Sequence, residues 1–359
     1  MSRTVFILGA GASKKAGAPL MMDFLDIAED LFRMGKVDDV KEHFDIVFRA
    51  KGLLQYVHSK SQLDINNLES VFAAFEIAKT LEKFPGYGKK ELNKLISSMK
   101  VLISKTIEKT VRFPVSNERV EIPEPYYDFI KLIVKIENDI IPKQEVSVLT
   151  FNYDMAIDYG FYFTRVVSNY FLGENHWDEG IPLLKLHGSL NWAYCPKCKK
   201  VVSWPLELFF KKYNWNQALL GKPASVYLTI GSSLGDFDHS CGTKVKPEPV
   251  IVPPTWNKTE YHNSVSNVWS KAAKELSNAE NIFIIGYSLP ETDSFFRYLY
   301  ALGTVDESTL IKKIWVFNPD STGEVEARFH KMLGPGAESR FKYHSKTFEE
   351  SLKIIENSY

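Results

Sequence analysis

The sequence predicts an α/β fold: a doubly wound parallel sheet carrying a large helical insertion and a small cysteine-bearing module. Three observations lead there. From residue 146 onward, apolar β-prone runs alternate with helical patterns, the sign of strand–helix–strand units. Near the start, the run Val5-Phe6-Ile7-Leu8 empties into Gly9-Ala10-Gly11-Ala12-Ser13, and Gly17 follows. A buried strand that breaks into small residues and then a helix lets backbone N–H groups approach a phosphate, with the helix N-terminus adding partial positive charge. Third, no second strand ending in Asp or Glu appears about 20 residues on, as an ordinary dinucleotide fold requires. Residues 21–32 have helical spacing instead, so the second strand comes much later.

Taken in order, residues 20–145 read as mostly helical. Apolar residues recur at helical spacing over Leu68–Ile77, with Asn66 or Asn67 as N-cap, and again over Glu91–Val111. A third helix spans Tyr126–Ile140, opened by Pro123 and Pro125 and closed by Pro142. No chemical cluster stands out here. Strand character returns at Val146–Thr150 and at Leu183–Leu186, and a Cys-, Lys- and Trp-rich segment follows over residues 191–246. Val250–Val252 is a short strand, and His262–Asn278 has helical spacing. Asn281–Ile285 is apolar throughout, as a strand buried on both faces should be. A helix from about Asp293, the strand Lys313–Phe317, another helix, the strand Phe341–Tyr343 and a helix near Phe348–Ile355 complete the alternation. The domains expected are a Rossmann-type unit over 1–20 and 146–359, a helical insertion over 21–145, and a module over 191–246 set into the first unit.

Composition narrows the function. The 359 residues are 45% apolar and 25% charged, an ordinary globular balance. Lys plus Arg equals Asp plus Glu, 44 each, which gives no reason to expect direct nucleic-acid binding. No apolar run reaches membrane-spanning length. The first residues run straight into a strand, leaving no room for a signal peptide, and only three cysteines occur. A cytoplasmic protein is expected.

Ligands of open parallel sheets sit beyond the carboxyl ends of the strands. The residues there are Gly9-Ala10-Gly11-Ala12-Ser13, Thr150-Phe151-Asn152-Tyr153-Asp154, His187-Gly188, Gly286-Tyr287-Ser288 and Asn318-Pro319-Asp320. Singly, each has an ordinary structural explanation as a cap, a turn or a packing glycine. Together they place small or polar groups at every strand end.

As a set, these motifs resemble the sirtuins. GAGAS with Gly17-Ala18-Pro19 is similar to the sirtuin phosphate loop, and TFNYD to its Thr-x-Asn-x-Asp element. LHGS is similar to its His-Gly, IIGYSLP to its Gly-x-Ser loop, and VFNPD to its adenosine loop. The order also agrees, over residues 1–20 and about 146–345; the helical region is not covered. Two departures separate the chain from the deacetylases. The arginine that follows their glycine loop is missing from Pro19-Leu20-Met21-Met22-Asp23-Phe24. The strand that pairs with their peptide substrate is replaced by Pro253-Pro254-Thr255-Trp256-Asn257-Lys258. The chain looks more like the bacterial SIR2-like branch, whose members hydrolyse NAD+ in anti-phage defence.

That resemblance implies roles. NAD+ is the substrate, and Gly9, Ala10, Gly11, Ala12, Ser13, Gly17, Pro19, Thr150, Gly286, Ser288 and Asn318 bind it. Cleaving the nicotinamide–ribose bond builds positive charge on the ribose. Asn152 orients the water or the ribose hydroxyls, and His187, a residue type that titrates near neutrality, takes a proton. Asp154 fixes Asn152 or the ribose. Rival assignments are an NAD-dependent protein deacylase and a non-catalytic NAD or ADP-ribose sensor. Because unrestrained NAD+ hydrolysis poisons its host, the resemblance also implies a homo-oligomer or a separately encoded activator such as a HerA-type ATPase or an Argonaute-like protein.

Cys195-Pro196-Lys197-Cys198 and His239-Ser240-Cys241 have the residue types of a Cys3His structural zinc site, with His239 the weakest ligand. Sirtuins carry a four-cysteine zinc module at this place; here no fourth cysteine exists. The competing expectation is a remnant with three free thiols.

Overall fold

In a computed structural model, residues 2–58, 63–173, 179–213, 223–252, 262–290, 294–303 and 310–359 are described. β1 (Ser2–Leu8) lies at the centre of the sheet, and its sequence says why: Val5, Phe6, Ile7 and Leu8 are all fully buried. Alternation sends Phe6 and Leu8 into one core and Val5 and Ile7 into another, so the sheet is covered on both faces.

Among the described residues, five α-helices stand between β1 and the next strand of that sheet. They are α1 (Phe24–Arg33), α2 (Lys41–His58), α3 (Leu68–Thr80), α4 (Lys89–Thr110) and, beyond the hairpin β2 (Phe113–Ser116) and β3 (Arg119–Val120), α5 (Tyr126–Asp139). Asn67 caps α3 as expected, accepting from the N–H groups of Glu69 (2.9 Å) and Ser70 (3.1 Å). The helices share one core with the sheet: Phe44, Phe75 and Leu102 belong to the same cluster as Phe6 and Val148. α5 packs on the following strand.

The second half alternates as predicted. β4 (Gln144–Thr150), α6 (Ala156–Thr164), β5 (Ser168–Asn169) and β6 (Ile181–Lys185) come first. β7 (Gly188–Cys195), β8 (Lys200–Ser203), α7 (Leu206–Tyr213), β9 (Ser225–Val226) and β10 (Pro249–Ile251) form the segment around the cysteines. Then come α8 (His262–Ser277), β11 (Asn281–Ile285), α9 (Ser294–Gly303), β12 (Lys313–Phe317), α10 (Glu324–Met332), α11 (Pro335–Glu338), β13 (Phe341–His344) and α12 (Phe348–Glu356). The main sheet runs β13-β12-β11-β1-β4-β6-β5, with every pairing parallel. β1 is the switch point: the chain builds outward on one side through β4, then returns to add β11 on the other.

Two details differ from expectation. The strand at residues 250–252 does not join the parallel sheet; β10 pairs antiparallel with β7, and β7 with β8. The cysteine segment therefore has its own three-stranded sheet, whose first strand begins at Gly188, before residue 191. The glycine loop also does not open an α-helix. It forms a 3-10 turn over Ala10–Ser13, and α1 begins only at Phe24. A four-residue turn brings no helix dipole, so any attraction for a phosphate here comes from individual N–H groups.

Candidate active site

The glycine loop and the turn after β11 press together at the carboxyl edge of the sheet, beside the switch point. Gly9 N–H donates to Ile285 O (3.0 Å) and Gly11 N–H to Gly286 O (2.9 Å). A Cβ on Gly11 would meet Gly286 Cα at 2.9 Å, and Gly286, at φ +63°, would clash with Ala12 N at 2.4 Å. Close backbone packing thus accounts for glycine at both positions without a ligand. Ala10 is half-buried and Ala12 buried. Gly17 is exposed, where the loop meets the end of α4 through the Arg112 N–H bond to Ala16 O (2.8 Å), and Pro19 is buried.

Asn152 reaches across from the end of β4. Its Nδ2 donates to Gly9 O (2.9 Å) and to Ser13 Oγ (3.0 Å), which fixes the amide plane and leaves Oδ1 as the accepting end. Its N–H is taken by Thr150 Oγ1 at 3.1 Å, so buried Thr150 shapes the turn. Ser13 is fully buried, 2.6 Å from the Tyr126 hydroxyl, and its hydroxyl helps hold the Asp154 carboxyl down. Asp154 accepts from Ala156 N–H as well (2.9 Å), capping α6. Burial pushes its carboxyl up, against the pull of the nearby Lys185 charge and the Ser13 bond. Burial also holds the Tyr126 phenol well above its usual range, with the Asp154 charge adding to it. The buried Ser13 oxygen is taken up by Tyr126 and Asn152.

Asn152 and His187 follow the ends of neighbouring strands. β4 and β6 are paired with Thr150 opposite Lys185, and each residue lies two positions further along. The His187 ring is buried against Phe151 (centroids 5.0 Å apart, edge-on) and Tyr153 (6.1 Å), while its carbonyl accepts from Val252 N–H at 2.8 Å. Phe151 stacks on Tyr287 at 4.4 Å, and Phe296 packs edge-on to both. An apolar wall therefore lies beside the imidazole. Ser288 is half-buried, its carbonyl taken by Arg328 Nε (2.9 Å). Asn318, also half-buried, accepts from Asp320 N–H (3.0 Å) and donates to Tyr287 O (3.5 Å).

Beneath Asn152 and His187 runs a buried polar chain that motif reading does not find. Lys185 Nζ donates to Asp158 Oδ2 (2.8 Å) and Asp154 O (2.6 Å); the Lys185 and Asp158 side chains are 0% and 1% exposed. The Tyr170 hydroxyl bonds the other Asp158 oxygen and accepts from Asn191 Nδ2 at 3.2 Å. One signal was in the sequence: Lys185 is a charge inside the run Leu183-Leu184-Lys185-Leu186. Tyr126, Asp158, Tyr170 and Asn191 carried none.

The cysteines converge. Cys195 Sγ lies 3.6 Å from Cys241 Sγ, His239 Nδ1 lies 3.2 Å from Cys241 Sγ and 3.5 Å from Cys198 Sγ, and the four ligand atoms all fall within 4.8 Å of one another. A tetrahedral zinc with bonds near 2.3 Å to sulfur needs edges of about 3.8 Å, so the quartet is compatible with a zinc module. His239 takes its place through Nδ1. The hydrogen bond from His239 draws the Cys241 thiol down to about 6. Among the described residues no helix is long and apolar enough to cross a membrane.

No family model and no curated protein matches the chain. Among the solved structures that match are Sir2 proteins. One is a Sir2 homologue bound to ADP-ribose: 13% identity, 99% of this chain and 90% of that chain covered, TM-score 0.44. Another is SIR2 with an inhibitor, 2′-O-acetyl-ADP-ribose and a deacetylated peptide: 15% identity, 99% and 93% covered, TM-score 0.38. A third is a Sir2 mutant with a peptide and NAD: 14% identity, 99% and 92% covered, TM-score 0.38. Likeness at this level leaves the chemistry to the chain's own residues.

Proposed function

We propose that the chain is a SIR2-like NAD+ hydrolase, converting NAD+ and water to nicotinamide, ADP-ribose and a proton. The observation that carries this is that Asn152, its amide fixed by Gly9 and Ser13, and the buried His187 follow the carboxyl ends of neighbouring strands. Nicotinamide is a good leaving group, so the site must mainly hold a ribose that is becoming positive and supply a water. In this mechanism Asn152 Oδ1 accepts from a ribose hydroxyl or the attacking water, and His187 removes the proton. The Gly9–Ser13 loop, Gly17, Pro19, Thr150, Gly286, Ser288 and Asn318 make up the binding edge, with Thr150 and Ser13 acting through Asn152. Asp154 holds Ser13 and the turn. Zinc on Cys195, Cys198, His239 and Cys241 is structural.

The same reading makes the chain an NAD-depleting effector of bacterial anti-phage defence, held silent until it assembles with itself or with a separately encoded activator. The segment that would carry a deacylase's peptide strand, residues 253–258, lies outside the described residues. Incubating the chain with NAD+, with and without acetylated peptide, alone and in assembled form, distinguishes the possibilities. ADP-ribose formed from NAD+ without peptide supports hydrolysis. O-acetyl-ADP-ribose formed only with peptide overturns it in favour of a deacylase, and binding without turnover in favour of a sensor.

A further inference from the structure

We propose that Lys185 is a positioning residue: its buried ammonium ties the Asn152–Asp154 turn to the strand end bearing His187 and holds the two in register. The catalytic part of this proposal rests on the NAD+-cleavage reading; the tie itself does not.

The argument begins where the sheet stops. The last ladder bond between these strands is Leu186 N–H to Thr150 O, 2.9 Å. Beyond it the two chains diverge: Asn152 N–H turns back to Thr150 Oγ1, and the His187 carbonyl faces β10 through Val252 N–H. Two links then cross to the turn. Leu190 N–H, on β7, donates to Tyr153 O (3.1 Å), and Lys185 Nζ donates to Asp154 O (2.6 Å). Lys185 is the last residue of β6 and His187 follows two residues on, in the turn to β7, so a shift of its ammonium moves the strand end that positions the imidazole.

An ion pair this deep is a poor way to fill space. Two apolar side chains of similar volume often stabilise a protein as well or better, because neither has to leave water. What they cannot do is donate to a main-chain carbonyl. Asp158 holds the ammonium in place and is itself held by Tyr170 and α6, so the donor aimed at Asp154 O is fixed from behind. The turn is thereby pinned at Asn152 by Gly9 and Ser13, at the Tyr153 carbonyl by Leu190 N–H, at the Asp154 carboxylate by Ala156 N–H, and at the Asp154 carbonyl by Lys185.

The test compares wild type, Lys185→Met, and the charge-neutral pair Lys185→Met with Asp158→Leu. Lys185→Met alone leaves a buried carboxylate without its cation and is free to fail in folding; the double variant decides. It should unfold cooperatively, bind NAD+ with a KM within about threefold of wild type, and lose roughly tenfold or more in kcat. Amide exchange followed by mass spectrometry should accelerate roughly tenfold together in peptides covering residues 150–156 and 183–189, with no change in β12. A double variant with wild-type kcat and wild-type exchange overturns the proposal, and so does exchange that loosens in one segment only. A double variant that does not fold also overturns it, since the pair would then be holding up the fold. If assembled wild type leaves NAD+ intact, the hydrolase reading fails, while the exchange measurement still decides whether Lys185 is the tie.

Discussion

Asn152 and Asp differ by one atom, and the geometry makes that atom decisive. The Asn152 amide nitrogen sits 2.9 Å from the carbonyl of Gly9, which can only accept. Asn152→Asp would set two acceptors against each other, so it should lower the thermal midpoint more than Asn152→Ala does, by roughly 1–3 kcal/mol of stability; melting curves of the two variants check this. For chemistry, Asn152→Ala and His187→Ala should each slow NAD+ cleavage by about 100-fold or more with the fold retained, and NAD+ affinity should fall less than turnover. Gly11 changes meaning between sequence and structure. Its absence of a side chain reads from the sequence as room for a pyrophosphate, yet the space is already filled by Gly286. Gly11→Val should therefore destabilise the protein with no nucleotide present, and Gly286→Ala should do so too because it adds a strained φ; an unchanged midpoint in both would refute the packing account. Asn152, Asp154 and His187 were legible because motifs at strand ends are short and local. Lys185, Asp158 and Tyr126 were not, because their roles depend on partners 27 to 113 residues away, which spacing alone does not reveal.

At the scale of elements, strands buried on both faces were the easiest to read, since Val146–Thr150, Asn281–Ile285 and Lys313–Phe317 are runs that water-facing structure rarely tolerates. β7 and β8 were hidden for the opposite reason. Their residues include Asn191, Tyr194 and Cys195, and the pattern is dominated by cysteine and lysine spacing. The helix expected after the glycine loop failed because small residues permit a tight 3-10 turn as readily as a helix start. β7 joins the two candidate sites, beginning next to His187 and ending at Cys195. About one zinc per chain is expected by elemental analysis of protein expressed with the metal in supply. Cys198→Ser should lower thermal stability or solubility more than it alters turnover of the folded fraction, and a chelator should act in the same direction. Protein free of zinc after such expression would count against the module.

Across the whole molecule, the order of strands follows from parallel pairing and the rule that ligands gather at the switch point. The extent of shared packing does not. The helices of residues 24–139 read as an inserted unit, and they share one core with the sheet because Phe6, Leu8 and Val148 present the face on which they pack. Such a body offers broad helical surface, and the toxicity of free NAD+ hydrolysis motivates a further prediction. The isolated chain should turn over NAD+ slowly or not at all, and activity should rise with assembly, measured by light scattering alongside product analysis. Full turnover by a strict monomer would remove that idea. The central place of β1 has a consequence for synthesis. β1 is synthesised long before one of its neighbours: Asn281, which hydrogen-bonds Thr4, comes 277 residues later, and Tyr359, whose hydroxyl also reaches Thr4, later still. At about 20 residues per second, this central strand waits on the order of ten seconds for its second neighbour. During that interval its open edge is available to any other nascent strand. Yield in the cell should therefore depend on what shields newly made β1 more than on the final stability of the sheet.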